Sequence, residues 1–70
     1  MLWWFEREGR KTSVEVLHLA SGEYEMRVID GDGTEHVEQF TSAAELAKRQ
    51  QQIQDRLLSH GWKGPNSWIV

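Results

Sequence analysis

Residues 24–45 read YEMRVIDGDGTEHVEQFTSAAE, a strand, a turn, a second strand and a helix cap in unbroken succession. Tyr24, Met26 and Val28 alternate with Glu25 and Arg27, the period of two expected of a strand with one wet face. Asp32-Gly33 suits a two-residue type I′ hairpin, whose central residues both take positive φ. That turn predicts Val28 opposite Val37 and Arg27 opposite Glu38, with a strand from Thr34 to Phe40. Ser42 followed by Glu45 forms a capping box and starts a helix running from Ala43 to about Ser59. Ala43, Leu46, Ala47, Ile53 and Leu57 recur at helical spacing as one buried stripe, interrupted by Gln50. Gly61 is the natural left-handed stop, after which Trp62 can pack back on Leu57.

Two more strands precede this stretch. Leu2 to Glu8 reads as an aromatic-rich strand, with Gly9-Arg10 as a two-residue turn. On that reading Phe5 lies opposite Val14 and Trp3 opposite Val16, while the other face pairs Leu2 with Leu17 and Trp4 with Glu15. The second strand, Thr12 to Ala20, carries Val14 and Val16 on one parity and Leu17 and Leu19 on the other. A bulge near Val16-Leu17 would bring both pairs to the core; a flat strand leaves the leucines behind the sheet. The flat strand is the better fit, because a three-residue loop at Ser21-Gly22-Glu23 then sets Val16 opposite Val28 and His18 opposite Met26.

The fold class expected is therefore α+β: a four-stranded antiparallel meander followed by one C-terminal helix packed on one face. Residues 1–62 form the domain, and 63–70 are a tail that can fold back. The expected core is Trp3, Phe5, Val14, Val16, Tyr24, Met26, Val28, Val37, Phe40, Leu46, Ile53 and Leu57, with Trp62 against the helix end.

Composition narrows the function classes. Seventy residues bury only about 60% of the unfolded surface, so the margin of stability is thin. With no cysteine, disulfides and thiolate zinc sites are excluded, leaving tight packing or association to strengthen the core. No segment has the pattern of a signal peptide or membrane span, and a reducing cytoplasm is the expected location. The net charge of −3 is uneven: residues 1–40 are acidic and residues 41–70 mildly basic. An acidic sheet half argues against broad phosphate binding there.

Chemical motifs are few. Asp30-Gly31-Asp32-Gly33-Thr34-Glu35 has alternating carboxylates like a calcium loop, but the glycine comes too early and a strand follows where an EF-hand needs a helix. His18, His36 and His60 stand in no metal-ligand spacing. No nucleophile elbow, phosphate loop or paired catalytic carboxylate motif is present. The reading is a non-enzyme with no cofactor and no metal.

One helix can cover only one sheet face. The other is expected to gather Leu2, Trp4, Leu17, Leu19 and Ile29 among Glu15, Glu25, Arg27, His36 and Glu38. Bare apolar surface of this kind commonly marks an interaction site. Its cover is either the Trp68-Ile69-Val70 tail, which makes Trp68 a candidate interaction residue, or another protein, including a second copy in a homodimer. The alternative is a nucleic-acid-binding module with Lys48, Arg49 and Arg56 on phosphates. Only three bases without interleaved aromatics make that face a weaker candidate.

Phe5-Glu6-Arg7, Gly9-Arg10, Gly22-Glu23-Tyr24-Glu25, Asp32-Gly33-Thr34-Glu35, Phe40 and Gly61-Trp62 together resemble a group of small uncharacterised bacterial proteins. The matching elements are turn and core residues, so the resemblance implies a shared fold and carries over no functional site.

Overall fold

The computed structural model describes residues 1–67. Its elements run β1 (Leu2–Arg7), β2 (Arg10–His18), β3 (Tyr24–Ile29), β4 (Glu35–Phe40), α1 (Ala43–Ser59) and β5 (Lys63–Ser67). All neighbouring strands are antiparallel, in the order β4-β3-β2-β1-β5. The expected α+β meander and helix are present, and a fifth strand completes the sheet. Residues 63–67 do fold back, but into the sheet plane beside β1 rather than across its bare face.

The hairpin turns differ from the expected ones, with unequal consequences. The β1–β2 loop is Glu8-Gly9, with φ of +51° and +78°, a pair of left-handed residues suited to a type I′ turn. Trp3 therefore faces Val14 and Phe5 faces Thr12, a shift of two from the expected register that leaves every side chain on its expected face. The β2–β3 loop closes where the Leu19 N–H donates to the Glu23 carbonyl at 2.8 Å. Val16 then faces Met26 and His18 faces Tyr24, again a shift of two. Pairing runs unbroken from Ser13 to His18, so β2 is flat and no bulge reunites the valines and leucines.

The β3–β4 loop breaks the pattern. Asp30 N–H donates to the Thr34 carbonyl at 2.8 Å and Gly33 N–H to the Asp30 carbonyl at 2.9 Å, enclosing three residues, Gly31-Asp32-Gly33. Only Gly33 has positive φ (+90°) here, as a type I turn closed by a left-handed residue requires. Asp32 instead uses its carboxylate to accept the Thr34 N–H at 2.9 Å. One extra loop residue slips the register by one, so Val28 faces His36 and Arg27 faces Val37. The side chains from Glu35 to Gln39 are thereby turned over relative to the expected register, while Phe40, expected in the core, does pack there. Val37, expected in the core, is 48% exposed on the bare face, while His36 and Glu38 move to the helix side.

The helix behaves as its caps dictate. Ser42 Oγ accepts the Glu45 N–H at 3.1 Å. At the other end Trp62 N–H donates to the Leu57 carbonyl (3.0 Å) and Gly61 N–H to the Leu58 carbonyl (3.2 Å), the paired bonds of a Schellman stop. Leu46, Ile53 and Leu57 meet Phe5, Val14, Met26 and Val28 as the buried core. Trp3, Val16, Tyr24, Phe40 and Trp62 pack around them. Thr12, which no hydrophobic pattern singles out, is 1% exposed opposite Phe5.

Candidate interaction surface

The sheet register assembles the helix-free face row by row. One row runs Leu2, Glu15, Arg27, Val37; the next Trp4, Ser13, Ile29, Glu35, with Asn66 beside Trp4; a third Leu17, Glu25, Gln39. Leu2, Leu17 and Ile29 are each 39% exposed, and Trp4 is half-buried. Leu19 lies past the end of β2, half-buried in the loop. Trp68, the remaining residue expected to join this surface, falls outside the described residues.

The aliphatic side chains do not form one continuous sheet of grease. A guanidinium sits among them. Arg27 Nε lies 2.8 Å from Glu35 Oε1 and its Nη2 lies 3.6 Å from Glu25 Oε2, while Glu15 faces it directly across β2–β3. The short Nε contact is one of charge proximity rather than an aligned hydrogen bond. Two carboxylates pair with this cation and a third faces it on the neighbouring strand, giving the middle of the face a local excess of negative charge. Around the edge, Lys11 Nζ sits 5.0 Å from the Trp4 ring centroid and Trp4 Nε1 donates to Glu6 at 3.1 Å. Such cation–π contacts are modest in water but fix the ring's orientation.

The alternative phosphate-contact residues are dispersed. Arg49 Nε donates to both Glu38 oxygens, at 3.0 and 3.2 Å, which uses its charge against β4. Lys48 is exposed near the start of the helix and Arg56 near its end. A separation of eight positions puts these two about 12 Å apart along the axis. The histidines also lie apart. His18 stacks on Tyr24 with ring centroids 4.5 Å apart, His36 Nε2 lies 2.9 Å from Asp30, and His60 Nδ1 donates to the Arg56 carbonyl at 2.7 Å. Among the described residues no group of three or more His, Asp or Glu side chains could hold a metal ion. Among them, too, no helix is long and apolar enough to cross a membrane.

The sequence already places Arg27 on this face among Glu15, Glu25 and Glu38; what it misses is that the slipped β4 register exchanges Glu38 and His36 for Glu35 and Val37. A three-residue loop at Gly31-Asp32-Gly33, read from the final glycine, was the available signal. Comparison of the chain with protein-family models, with curated proteins and with solved structures finds no match.

Proposed function

We propose that this chain is a non-catalytic protein-interaction module whose binding surface is the helix-free sheet face. The observation behind the reading is the arrangement around Arg27: aliphatic side chains left substantially exposed, centred on one arginine paired with two glutamates and faced by a third across the strands. Interfaces that form between separately stable proteins are mixed in this way, with apolar groups interrupted by charge. The excess carboxylates select a partner that presents Lys or Arg among apolar side chains. A homodimer would set two such acidic centres against each other, a like-charge arrangement that opposes association.

Two measurements test the reading. Sedimentation equilibrium is expected to show a monomer; a dimer weakened by Leu17→Glu would make a second copy the occupant instead. An NMR titration then compares two strand-forming peptides, one alternating Lys with Leu and one alternating Glu with Leu. The basic peptide is expected to shift Leu17, Ile29 and Val37, with affinity falling as salt rises. Shifts confined to other surfaces, or equal response to both peptides, would refute the assignment.

A further inference from the structure

At the opposite end of charge space, five of the eight Lys and Arg residues collect around the β1–β2 turn and the C-terminal end of α1. Arg7, Arg10, Lys11 and Lys63 line one open recess of about 810 Å³ there, and Arg56 joins Arg7 and Arg10 in the adjoining one. Among the described residues none of the five has a carboxylate within ion-pair distance, whereas Arg27 and Arg49 elsewhere do. Arg7 and Arg10 face each other directly across the hairpin, a like-charge juxtaposition that opposes folding.

Both arginines are nonetheless held in place. Arg7 Nη1 donates to the His60 carbonyl at 2.8 Å, and its guanidinium carbon lies 5.4 Å from the Trp62 ring centroid. The stem of Arg10 packs by Gly31, where an added Cβ would come 3.3 Å from Arg10 Cβ and 3.1 Å from Trp62 Cη2. The negative end of the helix dipole accounts for Arg7 and His60. It does not account for Arg10 or Lys63. Two acids, Glu6 and Glu8, stand against four cations at the first recess, and Asp30 and Asp32 line the adjoining one, so the excess of positive charge lies at the first.

We infer that this recess binds a phosphate group carried by a small molecule. Such an anion would relieve the Arg7–Arg10 repulsion and take their planar donor forks in pairs, the geometry arginine offers oxyanions. Arg7 already lies over Trp62, which leaves that ring face closed to a nucleobase. The site therefore recognises phosphate rather than base.

The probe is inorganic pyrophosphate, added to ¹⁵N-labelled protein at constant ionic strength. Saturable shifts are expected at the Arg7 and Arg10 Nε–H groups and the Trp62 indole N–H. Arg10→Gln is expected to weaken binding about tenfold, as the loss of a charge-assisted hydrogen bond implies, and Lys48→Gln to leave it unchanged. Lys63→Gln, which alters an exposed side chain, is expected to weaken binding in the same direction and guards against misfolding of the first variant. Linear shifts that sodium chloride reproduces, or full affinity in both Arg10→Gln and Lys63→Gln, would overturn the site. An oligothymidylate that binds far more tightly than pyrophosphate would overturn the small-molecule source in favour of a polynucleotide.

Discussion

The two faces of this sheet carry similar numbers of aliphatic side chains, yet only one is closed. On the helix side Phe5 and Met26 are fully buried and Val14 is 1% exposed; behind it, Leu2, Leu17, Ile29 and Val37 remain substantially exposed. The available cover explains the difference. The helix crosses the front face far enough to reach both edge strands, β4 and β5, and among the described residues no element lies across the rear face. Burial here is decided by what is available to cover a face, and much less by how apolar its strands are.

The largest expected contrast sets one residue against another across the sheet. Phe5→Ala removes a fully buried ring and is expected to cost about 3–5 kcal/mol, enough to unfold much of a domain this small. Leu17→Ala, on the bare face, is expected to change stability by under about 1 kcal/mol, since the residue is 39% exposed and lies outside the buried core, where truncation leaves no closed cavity. Urea midpoints of the two variants decide it. Comparable losses would mean the rear face is already covered in solution.

The next effect concerns the edge that both faces share. An added Cβ at Gly64 would lie 2.8 Å from Phe5 Cδ2 and 2.9 Å from the Trp4 carbonyl oxygen, and neither neighbour is the free end of a flexible chain. Gly64→Ala is expected to cost about 1–3 kcal/mol by displacing β5. Amide exchange should accelerate at Trp4 and Asn66 more than along α1. Uniform acceleration through the whole domain would show instead that β5 is integral to the front core.

How far the chain could be read is clearest at its loops. In all three hairpins the glycine is the last loop residue: Gly9, Gly22 and Gly33, each with positive φ. Taking Gly9 as the first position and Gly22 as the middle one displaced two registers by an even number, so the faces and nearly all of the core were legible. Taking Asp32-Gly33 as the complete loop left out Gly31, an odd error, and turned β4 over. β5 was hidden for another reason. Lys63-Gly64-Pro65-Asn66-Ser67 has no β-branched or aromatic residue, and its pairing exists because β1 offers an open edge, where a proline is tolerated. The cationic recess was equally hidden, since Arg7 and Arg10 face each other only in the observed β1–β2 register and Lys63 joins them only when β5 closes beside β1.

The slipped register supplies a smaller test of which face is which. Val37→Lys is expected to change stability by no more than about 0.5 kcal/mol, the usual range for a surface position. With Val37 in the core the same change would bury an unpaired ammonium and unfold the domain. A folded Val37→Lys variant therefore upholds the three-residue loop, and an unfolded one restores the two-residue turn.

The smallest effect arises in that loop itself. The Thr34 backbone N–H, and then the Thr34 hydroxyl, hold the Asp32 carboxyl below its ordinary 3.8, with a lesser contribution from the charge of His36 and an opposing one from burial. A carboxylate with a depressed folded pKa adds stability that is fully present above its unfolded value and is lost as pH falls through the folded one. The wild type is accordingly expected to lose stability below about pH 4 more steeply than Asp32→Asn, whose amide oxygen can still accept the Thr34 N–H but cannot titrate. Because the carboxylate is fully exposed, the two curves should differ only slightly and converge at the acid end. Parallel curves from pH 6 down to pH 2 would mean that the Thr34 contact does not distinguish the ionised carboxyl from the neutral one, and that the chain's own turn preference sets the orientation of β4.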